Sequence, residues 1–159
     1  MKLICTLFLI ISFSYAQEIT FSNNIKYSLK TMQEKFKSHE VGVFNYSINQ
    51  VETFIAFDFK EILSRVYGIQ WKKHKYIHFN TLDDYKPYVE VYKFENRRPY
   101  LAYKKKYSKS FNMILTDKSK IRELAPFFLI WKEDYSKAAR RWHYWPYKIQ
   151  SVGLTKYTP

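Results

Sequence analysis

Cysteine occurs once in the 159-residue chain, glycine three times and proline five times, and 14 acidic residues face 27 lysines and arginines. Each shortage excludes something. The one cysteine, Cys5, lies in the apolar run Leu3 to Phe13, which follows Met1-Lys2 and precedes the small residue Ala16, the form of a secretory signal cleaved near Ala16. Without the small residues of a lipoprotein box before it, Cys5 reads as signal core rather than a lipid anchor. The expected mature chain, 17–159, then has no disulfide, thiolate metal site, cysteine nucleophile or covalently attached c-type haem. No apolar stretch of about 18 residues follows Ala16, so no transmembrane anchor is expected, and a periplasmic or secreted location is. With so few glycines, the close backbone approaches that cradle phosphates are mostly ruled out.

What the chain does have is aromatic side chains, 20% of all residues, and a net charge of +13. The aromatics can fill a core without disulfides. The charge raises nucleic-acid binding, which two features oppose. Lysine outnumbers the arginine that planar, bidentate recognition favours, and export separates the protein from intracellular nucleic acid. No nucleic-acid partner is expected; an acidic periplasmic protein partner, met by electrostatic steering, is.

The expected fold is a single α+β domain with strand-dominated mixed sheets. After the signal (1–16), residues 17–42 read as a peripheral N-terminal segment and 43–159 as the domain proper. In the N-terminal segment, Ile25, Leu29, Met32 and Phe36 give one amphipathic helix over Asn24 to His39. Thr53 to Phe57 reads as a strand. Asp58 is an N-cap for a helix from Phe59 to Tyr67, with Phe59, Ile62, Leu63 and Val66 as its apolar stripe and Gly68 as its stop. Lys75 to Phe79 is a strand with Ile77 and Phe79 on one face and Tyr76, His78 and Asn80 on the other. Val89 to Phe94 fits strand or helix, and Arg97-Arg98-Pro99 reads as a turn. Tyr100 to Tyr103, Phe111 to Leu115 and Phe127 to Trp131 are strands, and so is Lys148 to Leu154, with Ile149, Ser151 and Gly153 alternating against Gln150, Val152 and Leu154.

The segments TFIAFDFKEILSRVYG, KYIHFNTLDDYKPYV, RPYLAYKK, LAPFFLIWK and HYWPYKIQSVGL, in this order over Val43 to Leu154, resemble the small secreted domains with the molybdopterin-binding fold of sulfite oxidase-type oxidoreductases. The resemblance implies that fold and a periplasmic setting beside electron-transfer partners. In enzymatic relatives a loop cysteine ligates molybdenum; here that position matches Thr81, whose hydroxyl cannot replace a soft thiolate. The resemblance therefore implies a cofactor-free binding or accessory module. The alternative is an atypical molybdopterin-dependent oxidoreductase with Thr81, Asp83, Asp84 and Tyr85 lining the pocket.

Other candidate sites come from the residues themselves. His74 and His78 on one strand would sit about 13 Å apart, too far for one metal, and no metal site or catalytic residue is assigned. Arg97, Arg98, Lys104, Lys105, Lys106 and Lys109, interleaved with tyrosines, form a basic patch suited to a polyanion or envelope surface, or else a lysine-protected edge. In RRWHYWPYK, Trp145 to Tyr147 reads as closure of the fold. Arg140, Arg141, Trp142, His143 and Tyr144 read as a ligand or partner site, in which cations beside aromatic planes can hold an anion.

Overall fold

The computed structural model describes residues 17–114, 120–132 and 145–157. Residues 1–16, expected from the sequence to be a leader, the expected ligand stretch Arg140 to Tyr144 and position Leu115 lie outside the described residues.

Strands make up most of the regular structure. In chain order the elements are β1 (Glu18–Phe21), β2 (Lys26–Ser28), α1 (Leu29–Lys35), β3 (Ser38–Asn45), β4 (Gln50–Asp58), α2 (Phe59–Tyr67), a 3-10 helix (Gly68–Lys73) and β5 (Tyr76–Thr81). They continue with β6 (Tyr88–Glu90), α3 (Val91–Asn96), β7 (Arg98–Lys105), β8 (Asn112–Ile114), β9 (Ile121–Glu123), β10 (Phe128–Lys132) and β11 (Ile149–Thr155). Among the described residues these strands form a five-stranded sheet, β2-β1-β11-β5-β6, a four-stranded sheet, β10-β7-β4-β3, and the ribbon β8-β9. The protein is a single α+β domain dominated by strands.

Local chemistry sets α2 as its sequence predicts. The Asp58 carboxylate accepts the N–H groups of Lys60 (2.8 Å) and Glu61 (3.2 Å), Phe59, Ile62, Leu63 and Val66 are buried, and Gly68 ends the helix at φ 61°. Phe59 packs on Phe79 of β5 and Phe94 of α3, and Phe94 reaches Trp131 of β10 at 5.0 Å between ring centroids. That aromatic chain ties the two large sheets together. The closing segment does so as well: the Leu129 N–H donates to Pro146 O at 2.8 Å, and Trp145, 5% exposed, lies beside Phe128.

Three expectations are corrected. The helix over Asn24 to His39 is only the seven residues of α1, flanked by β2 and β3. Ser28, whose side chain accepts the Thr31 N–H, starts it, and the β-region backbone of Phe36 ends it. Nor is the segment 17–42 peripheral: β1 pairs in parallel with β11, β3 pairs with β4, and Ile19, Phe21, Met32 and Phe36 are core residues. Arg98 and Pro99 belong to β7 rather than to a turn, because they complete the ladder to Lys132 and Trp131.

The last strand departs from strict alternation. A bulge between Ile149 and Ser151 leaves Gln150 unpaired and exposed, so Ile149 and Val152 both enter the core. Val89 to Phe94 is strand and then helix. No helix among the described residues is long and apolar enough to cross a membrane.

Candidate functional site

Thr81 ends β5, where it is 4% exposed. Its hydroxyl lies 2.5 Å from Asp83 Oδ1 and 2.7 Å from the Tyr85 carbonyl, so its single proton serves one or the other within the same turn. The Asp84 N–H donates to Thr81 O at 3.2 Å with Asp84 at φ 58°, and the Leu82 N–H donates to Lys148 O at 3.0 Å. The carboxylates of Asp83 and Asp84 belong to exposed residues. Burial, and then the neighbouring Tyr147, push the Tyr85 phenol above its ordinary range. These residues do not supply a soft thiolate for molybdenum: the Thr81 hydroxyl is neutral and already closes the turn, and Asp83 and Asp84 offer only hard carboxylate oxygens.

The loop contributes to a cavity by another residue. Leu82, with Ala125 and Pro126, forms the apolar part of a cleft of about 530 Å³ at the end where β1 meets β11. Its polar lining residues are Glu18, Glu123, Lys148, Gln17, Gln150 and Thr20. The parallel pairing of Thr20 with Ser151 brings the two ends of the described chain together here, and the bulge turns Gln150 outward into the opening. Lys148, at φ 55°, is held by its N–H to Leu124 O (3.0 Å) and its carbonyl to the Leu82 N–H. A volume of this size falls within the range of small-molecule pockets.

The expected basic patch does not come together. Arg98 and Lys105 stand at opposite ends of β7, about 23 Å apart at the usual strand rise. Lys105 is inward, ion-paired with Glu52, the two side chains being 18% and 10% exposed. Glu52 also accepts from Asn45 Nδ2 at 2.7 Å, and Asn45 is itself buried. Lys106 pairs with Glu40 at 2.6 Å, which raises its pKa. Lys104 and Lys109 are exposed. Two of the four lysines are thus neutralised by partners from the neighbouring strands β3 and β4, which the local sequence does not reveal.

The histidines stay apart as well. His74 Nδ1 sits 3.0 Å from Gln70 O at the end of the 3-10 helix. His78 lies on β5 opposite Gly153, and burial lowers its pKa. Among the described residues no group of three or more histidines, cysteines or acidic residues is placed to hold a metal. The buried Trp145 indole N–H has no hydrogen-bond partner among the described residues. The stretch Arg140 to Tyr144 cannot be assigned to the cleft, since it lies outside them.

Sequence reasoning misses Gln17, Glu18, Thr20, Lys148 and Gln150 as cleft residues. No local motif marks them, because a pairing between distant strands and a one-residue bulge assemble the site. No protein-family model matches the chain, and neither does any curated protein.

Proposed function

We propose that this protein is an exported, non-catalytic binding or accessory module that takes a small polar ligand, or a side chain of a partner, in the cleft between β1, β11 and residues 123–126. The observation that carries this reading is the cleft itself: about 530 Å³ of concave space with an apolar floor and charged, amide and hydroxyl groups of both hydrogen-bonding senses. Glu18 pairs with Lys26 at 3.6 Å, and Glu123 shares the lining with Lys148, so the cleft presents both signs of charge in near balance. A small zwitterion, with an amine for a carboxylate and an acidic group for Lys148, is therefore favoured. The resemblance to the sulfite oxidase-type molybdopterin-binding fold rests on the motifs within Val43 to Leu154, and it supplies the periplasmic setting and an electron-transfer partner as the context. Fold alone does not carry an activity across, and the closed turn at Thr81 speaks for a module without the cofactor.

The test has two parts. Elemental and pterin analysis of the protein from its own periplasm, with molybdenum supplied, is expected to find neither in stoichiometric amount; finding both would overturn the non-catalytic reading. Thermal-shift screening against small amines, amino acids and related zwitterions is expected to raise the Tm for a subset. Gln150→Trp, which fills the cleft from an exposed position, is expected to abolish that rise. A shift that survives Gln150→Trp would place binding elsewhere.

A further inference from the structure

We propose that the corner where the 3-10 helix meets β5, α3 and the end of β11 docks onto an anionic lipid bilayer. Residues 62–82 contain four cations, Arg65, Lys72, Lys73 and Lys75, and no carboxylate. The backbone gathers these with two other segments at one point: the Lys75 N–H donates to Thr155 O at 3.1 Å, and the Lys75 carbonyl accepts the Val91 N–H at 3.0 Å. Tyr92, next to Val91 in α3, and Tyr157, just past the end of β11, are the exposed residues that these two bonds bring near the lysines.

This corner joins lysines without carboxylate partners among the described residues, a feature it shares with Lys104, to an exposed isoleucine and tyrosines. Lys72, Lys73 and Lys75 have no carboxylate partner among the described residues, whereas Lys93, Lys105 and Lys106 are each ion-paired. The Lys72 and Lys75 ammoniums lie instead over the rings of Trp71 and Tyr76, at 5.7 and 5.3 Å. Their stems cover aromatic surface while the heads keep their charge. Of the acidic residues of β6 and α3, Glu90 is taken by Lys93 at 2.6 Å, and Glu95 is exposed toward the far end of α3. Among these cations, large apolar side chains stand out from the surface: Ile69 is 62% exposed, Tyr92 57% and Tyr157 81%.

Uncompensated lysines around an exposed isoleucine and tyrosines match the chemistry of an anionic bilayer surface. The charges are drawn to the headgroups, the isoleucine enters the acyl boundary, and tyrosine rings favour the interface between them. A soluble polyanion would use the lysines alone and would leave Ile69 without a role. The net charge of +13 draws the protein toward an anionic surface. The docking corner lies at the Thr155 end of β11 and the cleft at the Ile149 end, about 20 Å away at the usual strand rise. A protein docked in this way holds its cleft away from the membrane, and the proposal does not depend on what the cleft binds.

Co-sedimentation of the purified protein with phosphatidylcholine vesicles, with and without phosphatidylglycerol, tests this. Binding is expected only with phosphatidylglycerol and is expected to weaken as salt is added. At about fivefold per surface lysine, K72Q/K73Q/K75Q is expected to lose about a hundredfold in affinity. The equal charge change K30Q/K104Q/K109Q, at exposed lysines elsewhere, is expected to leave binding nearly unaltered. Ile69→Ser, with charge unchanged, is expected to weaken it severalfold. Absence of binding to the anionic vesicles, or an equal loss in the two triple variants, would overturn the proposal. Capture by heparin as tight as by vesicles, together with an Ile69→Ser variant that binds vesicles like the parent, would replace the bilayer with a soluble polyanion.

Discussion

At the scale of single residues, the contact between Gly153 and His78 is the clearest case of one side chain depending on the absence of another. A Cβ on Gly153 would come within 2.2 Å of the imidazole, so the ring lies where an alanine methyl would be. In Gly153→Ala the ring must swing off the sheet toward solvent. The obstruction is a side chain and not backbone, so the cost should fall at the low end for overpacking, about 1 kcal/mol by urea denaturation. Burial lowers the pKa of His78 in the folded state, so below the ordinary value of 6.5 the unfolded chain binds the extra proton first. The stabilising contribution is therefore fully present above pH 6.5 and is lost as pH falls through the folded value. Stability measured against pH for the parent and for His78→Asn should diverge in that window. Gly153→Ala should move the imidazole pKa, followed by NMR, back toward 6.5; an unmoved value would mean that the ring is not buried by this contact.

At the scale of elements, α2 was almost entirely legible. Its cap, apolar stripe and stop are all within eleven consecutive residues, and each acts on its own neighbours. Asp58→Ala removes both N-terminal acceptor contacts and should cost about 1 kcal/mol, read as a lower urea midpoint with an unchanged slope. Spacing alone was a poorer guide for α1. The steps of Ile25, Leu29, Met32 and Phe36 suit a helix, but Tyr27 pairs with Ile19 of β1 and Ser38 with Phe57 of β4. The β1 partner is near in sequence but is not marked by the helical spacing, and the partner of Ser38 lies outside any local window. The lysines of β7 teach the same lesson, since Lys105 reads as a solvated cation until β4 places Glu52 against it. Lys105→Ala would leave the poorly exposed Glu52 carboxylate without its ammonium and should cost about 3 kcal/mol or more. Lys104→Ala, on the exposed side of the same strand, should stay within about 0.5 kcal/mol. Equal effects of the two would mean that Lys105 is as solvated as its sequence context implies.

At the scale of the whole molecule, the least legible feature is the one that builds the cleft: β1, from the start of the described chain, lies between β2 and β11, from its end. A parallel neighbour cannot be reached by a hairpin, and Thr20 meets Ser151 only across the whole intervening length of chain. Sequence shows that Glu18 to Phe21 alternates, but not which strand receives it, which is why this segment reads as peripheral. The distinction can be measured. Ile19 is fully buried and Phe21 is 1% exposed, with Phe21 edge-on to Tyr27 and Tyr67. Removing a buried phenylalanine from a core leaves a cavity and typically costs 3 kcal/mol or more, a large part of the roughly 5–15 kcal/mol that holds a domain folded. Phe21→Ala should therefore lower global stability by about 3 kcal/mol in one cooperative transition, with β1, β11 and α2 losing hydrogen-exchange protection together. A peripheral arm would respond differently: the same substitution would free only the amides near residue 21 and leave the main transition in place. That outcome would also dissolve the cleft, because Gln17, Glu18 and Thr20 would no longer be held against Lys148 and Gln150.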